Sequence, residues 1–195
     1  AQYILHLPPI STEPKRVPLL SMDEAIAKFK NALDVYGIDC KIELSNRVIS
    51  QVMVLNSKKT ILIRPDAQFT KKEADALIDH EIGVHMVTTQ NSSNEKLKIF
   101  NIGLPVNTMT QEGLAILSEY LSGNITLKRL KKIALRVVIT DMMCNGADFI
   151  ECFKYLVNQQ QVSINDAYTI VTRIFRGGGF TKDYLYLVGF EKILK

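Results

Sequence analysis

The sequence lacks most of what would place it outside the globular class. No apolar run reaches the roughly 18 residues of a membrane span, and residues 1–20 contain no signal-peptide core. A membrane partner is therefore not expected. Only three cysteines occur, Cys40, Cys144 and Cys152, an odd number without C-x-x-C spacing. That argues against a disulfide framework and for free thiols in a reducing, cytoplasmic setting. A strong charge of one sign is missing too: 24 Lys and Arg stand against 20 Asp and Glu, a net +4 that gives no case for nucleic acid. The phosphate-loop pattern G-x-x-x-x-G-K-[ST] is absent. Histidine is scarce, with three in the chain, and two of those three fall within six residues of each other.

What is present suits a folded enzyme. At 195 residues, 47% of them hydrophobic, the chain can bury a sizeable core as one domain. Residues 1–20 hold four of the six prolines and read as an extended arm, leaving 21–195 as the body. The first residue is not Met and no tail follows the last apolar stretch, so the chain reads as part of a longer protein. Ser21 and Glu24 have capping-box spacing and open a helix that runs to Tyr36 and stops at Gly37. Strict alternation over Ile38–Leu44 predicts a half-buried strand, and Val48–Leu55 and Thr60–Arg64 predict two more, with Asn56-Ser57 as a turn. The three are expected to form a small antiparallel sheet with Thr60–Arg64 at its edge, where Pro65 ends it.

The next segment, Asp79-His80-Glu81-Ile82-Gly83-Val84-His85, has the form H-E-x-x-x-H, one residue longer than the zinc-protease signature. Ala74, Leu77, Ile78 and Ile82 recur at helical spacing from Lys72 to about Thr89, and Glu81 and His85 project into that apolar stripe. Buried ionisable groups need partners, and a cation shared by two imidazoles supplies one. A core His and Glu bonded to neighbours is the plain alternative. Histidines five apart diverge by about 140° on a regular helix, so both reach one ion only if a π-bulge realigns them. Gly83 would ease that distortion.

A zinc site needs a third protein ligand. Thr108 and Gln111 read as a capping box for a helix running to about Ser122 and stopped by Gly123. Leu114, Ala115, Ile116, Leu117 and Leu121 make this helix apolar nearly all round, so it should be buried. Glu112 and Glu119 share one of its faces. Glu112 is assigned as the third ligand and Glu119 as support for a ligand, although the same reasoning allows the two to exchange roles.

H-E-I-G-V-H followed by Q-E-G-L-A resembles the bacterial QEGLA-motif proteins, described as flavohaemoglobin-expression modulators, whose animal relatives include the microtubule-associated tyrosine carboxypeptidases. The resemblance runs from about residue 58 to the C-terminus, through Asn107–Glu112 and Arg176-Gly177-Gly178 to Phe180-Thr181-Lys182-Asp183. It implies that His80, His85 and Glu112 hold one Zn2+ and that Glu81 is the catalytic base. Dipeptidyl peptidase III has a similar H-E-x-x-x-H. The ending V-H-M-V-T-T-Q-N is similar to the bacterial branch rather than the animal one.

The polar loop Asn91–Lys96 leads to Phe100, Leu104 and Pro105 in a connection of about 17 residues, long enough to wall a cleft, and further helices follow. Thr126 to about Met143 carries Lys128, Arg129, Lys131, Lys132 and Arg136, read as a solvated basic face because no aromatics interleave for base stacking. Residues 147–158 predict another helix. Ser163 and Asp166 cap one with the stripe Ala167, Ile170, Val171 and Ile174. The triple glycine 177–179 should end it, with Thr181 capping the next. This corner reads either as a plain helix–loop–helix or as an anion site in which Arg173, Arg176 and Lys182 hold a substrate carboxylate. Tyr184 and Tyr186 are candidate donors to a developing oxyanion.

These readings predict an α+β fold, a zincin-like metallopeptidase domain with the sheet packed on a mainly helical body. The expected activity is zinc-dependent peptide hydrolysis of carboxypeptidase type, acting on a peptide or protein C-terminus. Two alternatives are a regulatory or binding protein with a structural metal, and a metal-free helical domain.

Overall fold

A computed structural model describes residues 1–7, 17–48, 50–55, 58–101, 104–176 and 181–195. The chain divides into two compact units, one formed by Ala1–Ser11 with Thr126–Lys195 and the other by Thr12–Ile125. Both the turn expected at Asn56-Ser57 and the triple glycine lie outside the described residues, as do Pro8, Pro9 and Pro14 of the arm. Within that arm Gln2–Leu5 form a single helical turn, α1, and Leu19–Leu20 a short strand, β1.

In the 12–125 unit, α2 (Met22–Tyr36) begins at the expected capping box: Ser21 accepts from the Glu24 N–H while the Glu24 carboxylate accepts from the Ser21 N–H. It ends at Gly37, whose φ of +62° is the left-handed conformation that glycine adopts without a Cβ penalty. Strands β2 (Lys41–Leu44), β3 (Val52–Leu55) and β4 (Thr60–Ile63) follow. Their order is β2-β4-β3, with β2 parallel to β4 and β3 antiparallel to it. The sheet is therefore mixed rather than antiparallel, and Thr60–Arg64 does not lie at an edge. Its strand is central because Thr60, Ile61 and Ile63 are all buried, whereas Lys41, Glu43 and Leu44 of β2 are exposed. A two-stranded ribbon pairs β1 with β5 (Phe69–Thr70).

Thr70 then caps α3 (Lys71–Leu77) through a reciprocal box with Glu73. The helix continues without a break into a π-helical segment, Ile78–Met86, and leaves it as α4 (Val87–Asn94). Ile82 and Met86 of the π segment join Phe29, Leu33, Ile61, Ile63 and Phe69 in one hydrophobic cluster. Two 3₁₀ turns, Lys98–Asn101 and Pro105–Asn107, lead into α5 (Thr108–Leu121). The expected Thr108 capping box does not form. The 3₁₀ turn runs directly into the helix, so Thr108 already has helical dihedrals and no side chain caps Asn107. Gly123 does end the helix, at φ +73°. Nor is α5 buried all round: Leu114 and Leu121 are 40% and 74% exposed, while Glu112, Ala115, Ile116 and Glu119 form the buried stripe.

The other unit is helical: α6 (Leu127–Cys144), α7 (Phe149–Lys154) with a π turn at Tyr155–Gln159, α8 (Ile164–Phe175) and α9 (Leu185–Leu194). Thr126 and Ser163 cap α6 and α8, and Ala167, Ile170, Val171 and Ile174 are buried as their spacing predicts. The basic face of α6 is not simply solvated. Lys131 donates to the Leu7 carbonyl, Lys132 pairs with Asp166 at 2.9 Å, and Arg136 is buried. Thr181 does not cap α9. Its hydroxyl instead accepts from the Asp183 N–H and donates to the Asp183 carboxylate. Among the described residues no helix is long and apolar enough to cross a membrane.

Candidate metal centre

The π segment solves the spacing problem posed by the motif. When the backbone hydrogen bond runs from i to i+5, residues five apart stand one turn above each other. His80 and His85 therefore come together, with ring centroids 5.0 Å apart and planes at 74°. The same winding turns Glu81 aside. It is half-buried rather than central to the apolar stripe, and His80 is the residue that is buried. Gly83 sits where the segment passes α2 and α5: a Cβ there would stand 3.3 Å from the Tyr36 hydroxyl oxygen and 3.9 Å from Ser118 Oγ.

Helix α5 supplies the remaining groups. Glu112 Oε2 is 3.6 Å from His80 Nε2 and 3.6 Å from His85 Nε2. Both distances are too long for hydrogen bonds. They are close to the edge of a tetrahedron whose centre lies about 2.0–2.1 Å from each nitrogen or oxygen. One atom from each of His80, His85 and Glu112 falls within 4.8 Å of the others, the clustering that can hold a metal ion. His80 Nδ1 meets Glu119 Oε1 at 2.8 Å. A carboxylate only accepts, so Nδ1 carries a proton, and in the neutral ring Nε2 is then the nitrogen with a lone pair on the side of His85 and Glu112. The structure thus separates the two carboxylates, with Glu112 beside both imidazoles and Glu119 behind one of them.

A further contact, unseen in the sequence, fixes the segment from the side. Asp79 Oδ2 accepts from Ser122 Oγ at 2.6 Å and from Asn124 Nδ2 at 2.8 Å, joining the start of the π segment to the end of α5. Ser-Gly-Asn after a helix reads as a stop signal, and nothing in its spacing names a distant aspartate as partner.

Arg173, Arg176, Lys182 and Tyr184 belong to the helical unit. Arg173 Nε donates to Asp183, while Arg176, Lys182 and Tyr184 are exposed. Asp183, buried at 3% exposure, and Arg136, at 8%, join that group and were not singled out by the sequence as binding residues. The spacing of an arginine from an aspartate far downstream carries no periodic signal.

A family model described as microtubule-associated tyrosine carboxypeptidase matches residues 1–195. No curated protein matches the chain.

Proposed function

Because the chain belongs to the microtubule-associated tyrosine carboxypeptidase family, we propose that it is a zinc-dependent metallopeptidase that removes residues from the C-terminus of a peptide or protein. The observation that carries this reading is the convergence of His80 Nε2, His85 Nε2 and Glu112 Oε2 from two elements of one unit. Two imidazoles and a carboxylate are a recurrent ligand set of hydrolytic zinc, which leaves a position open. When bound, zinc supplies Lewis-acid polarisation of a carbonyl and lowers the pKa of water. Glu81, adjacent to His80 but turned out of the cluster, takes the proton of the attacking water and passes it to the leaving amine. Glu119 holds the His80 ring in the tautomer that presents Nε2. The zincin-like description of residues 21–195 is part of the same proposal, as is the role of Arg173, Arg176, Lys182 and Tyr184 in holding the substrate carboxylate.

The test is Glu81→Gln. Turnover of free-ended peptides should fall by about 10²–10⁴-fold, the usual contribution of a positioned base, while bound zinc stays stoichiometric. Unchanged turnover would leave the metal in a structural role. A peptide library carrying free and amidated C-termini separates the exopeptidase from an endopeptidase, which would cut both sets.

A further inference from the structure

Asp79 stands where helix chemistry gives it nothing to do. It lies inside the continuous run from α3 into the π segment, where aspartate is a poor helix former and no helix end needs a cap. Its carboxylate is engaged elsewhere: Oδ2 accepts from Ser122 Oγ at 2.6 Å and from Asn124 Nδ2 at 2.8 Å, at and just beyond the end of α5. The chain there is shaped to present those donors. Gly123 turns it at φ +73°, and the N–H groups of Asn124 and Ile125 both donate to the Glu119 carbonyl, at 3.0 Å and 2.9 Å.

The contacts close a ring. The Glu119 carbonyl holds the turn that carries Asn124, Asn124 holds Asp79, Asp79 precedes His80 in the chain, and His80 Nδ1 meets Glu119 Oε1 at 2.8 Å. The first imidazole of the cluster is thereby tied to the helix that carries Glu112. Opening the ring at Asp79 frees α5 to slide or turn against the π segment, and the 3.6 Å spacings from Glu112 Oε2 to both imidazoles depend on that register. Ligand groups held at the right spacing before an ion arrives cost less to order when it binds.

We infer that Asp79 is a positioning residue for the metal centre: through Ser122 and Asn124 it fixes the register of α5 on the π segment, and so the spacing of Glu112 from His80 and His85. Asp79 is not one of the three residues whose ligand atoms cluster, and it acts through geometry rather than charge. This role rests on the metal-binding reading above.

The test uses the full chain and is read on metal rather than on turnover. Zinc affinity is measured against a chelating dye, and cobalt(II) is loaded separately because its visible absorption reports coordination geometry. Asp79→Ala should weaken zinc binding by about tenfold, the lower end of what a contact behind a ligand is worth, and should alter the cobalt spectrum. Ser122→Ala combined with Asn124→Ala should do the same, and adding Asp79→Ala to that pair should cost little more. Asp79→Asn, whose amide oxygen can still accept from both donors, should recover most of the lost affinity. A residue acting by its charge behaves oppositely: Asp79→Asn would lose as much as Asp79→Ala, and the two donors could be removed without effect. Either result overturns the positioning role. So does a folded Asp79→Ala whose metal-free melting temperature falls while its zinc affinity and cobalt spectrum stay as in the wild type, since that marks a purely structural bond. If Asp79→Ala does not fold, the same losses are required of the Ser122 and Asn124 pair. A wild-type chain that binds no zinc sinks the metal reading itself, whereas zinc bound equally by wild type and variants sinks Asp79 alone.

Discussion

His80 is braced from behind and Glu81 is not. The Glu119 carboxylate lies 2.8 Å from His80 Nδ1 and is 1% exposed, whereas Glu81 is half-buried and, among the described residues, makes no side-chain hydrogen bond. The two glutamates should therefore fail differently. Glu119→Gln keeps an acceptor behind the ring but removes its charge, and zinc affinity should fall by about 10–100-fold in competition with a chelating dye. Equal affinity would mean that Glu119 only packs. A second residue-scale expectation concerns Asp166. Its hydrogen bond with Lys132 at 2.9 Å holds its carboxyl below the usual carboxylate range. A carboxyl depressed in the folded state lends stability above its unfolded pKa and loses it as pH falls through the folded one. The gain is small for a pair this exposed. Lys132→Met should accordingly lower the melting temperature slightly at neutral pH and leave it unchanged in strong acid, so that the acid limb of the melting-temperature profile is shallower. Residue identity made much of the site legible, since two of three histidines share one motif and two carboxylates share one helix face. It did not reveal Asp79 or Arg136, whose partners Ser122, Asn124 and Asp183 lie far along the chain.

At the scale of elements, the sequence was most readable where a local rule acted alone. The caps at Ser21 and Ser163 and the stripe of α8 each follow from spacing within a few turns. The π segment was legible for the same reason, because five-residue histidine spacing has no common solution on an α-helix. Sheet order was not. Alternation tells which face of a strand is buried, but the parallel pairing of β2 with β4 joins residues separated by the whole of β3. The cap at Thr108 failed because the 3₁₀ turn at Pro105–Asn107 reached it first. Gly83 offers an element-scale test. Alanine is worth up to about 1 kcal/mol over glycine in a helix, but its Cβ would meet the Tyr36 hydroxyl at 3.3 Å. Gly83→Ala should thus change stability little by itself and stabilise by up to about 1 kcal/mol in a Tyr36→Phe background, read by urea denaturation. A destabilised double variant would show that the π winding itself requires glycine.

For the molecule as a whole, the metal is expected to be a folding ligand as well as a reagent. Two histidines and two glutamates are gathered in the 12–125 unit, and a cation that binds only the folded form stabilises it by about 2.7 kcal/mol at a hundredfold excess over its dissociation constant. Added zinc should raise the melting temperature and a chelator should lower it. Glu112→Gln should abolish the response, and a melting curve indifferent to zinc would remove the metal from the fold.

The helical unit joins two segments far apart in sequence, Ala1–Ser11 and Thr126–Lys195, with α1 held through the Leu7 carbonyl to Lys131 of α6. During synthesis Ala1–Leu7 have no home until more than a hundred further residues have been added, whereas the 12–125 unit needs nothing made after Ile125. The unit that carries His80 and His85 can mature first, and the one that frames it in sequence must wait for α9. Nascent chains halted shortly after Ile125 clears the exit tunnel should already protect the 12–125 unit from protease while leaving Ala1–Leu7 open to it.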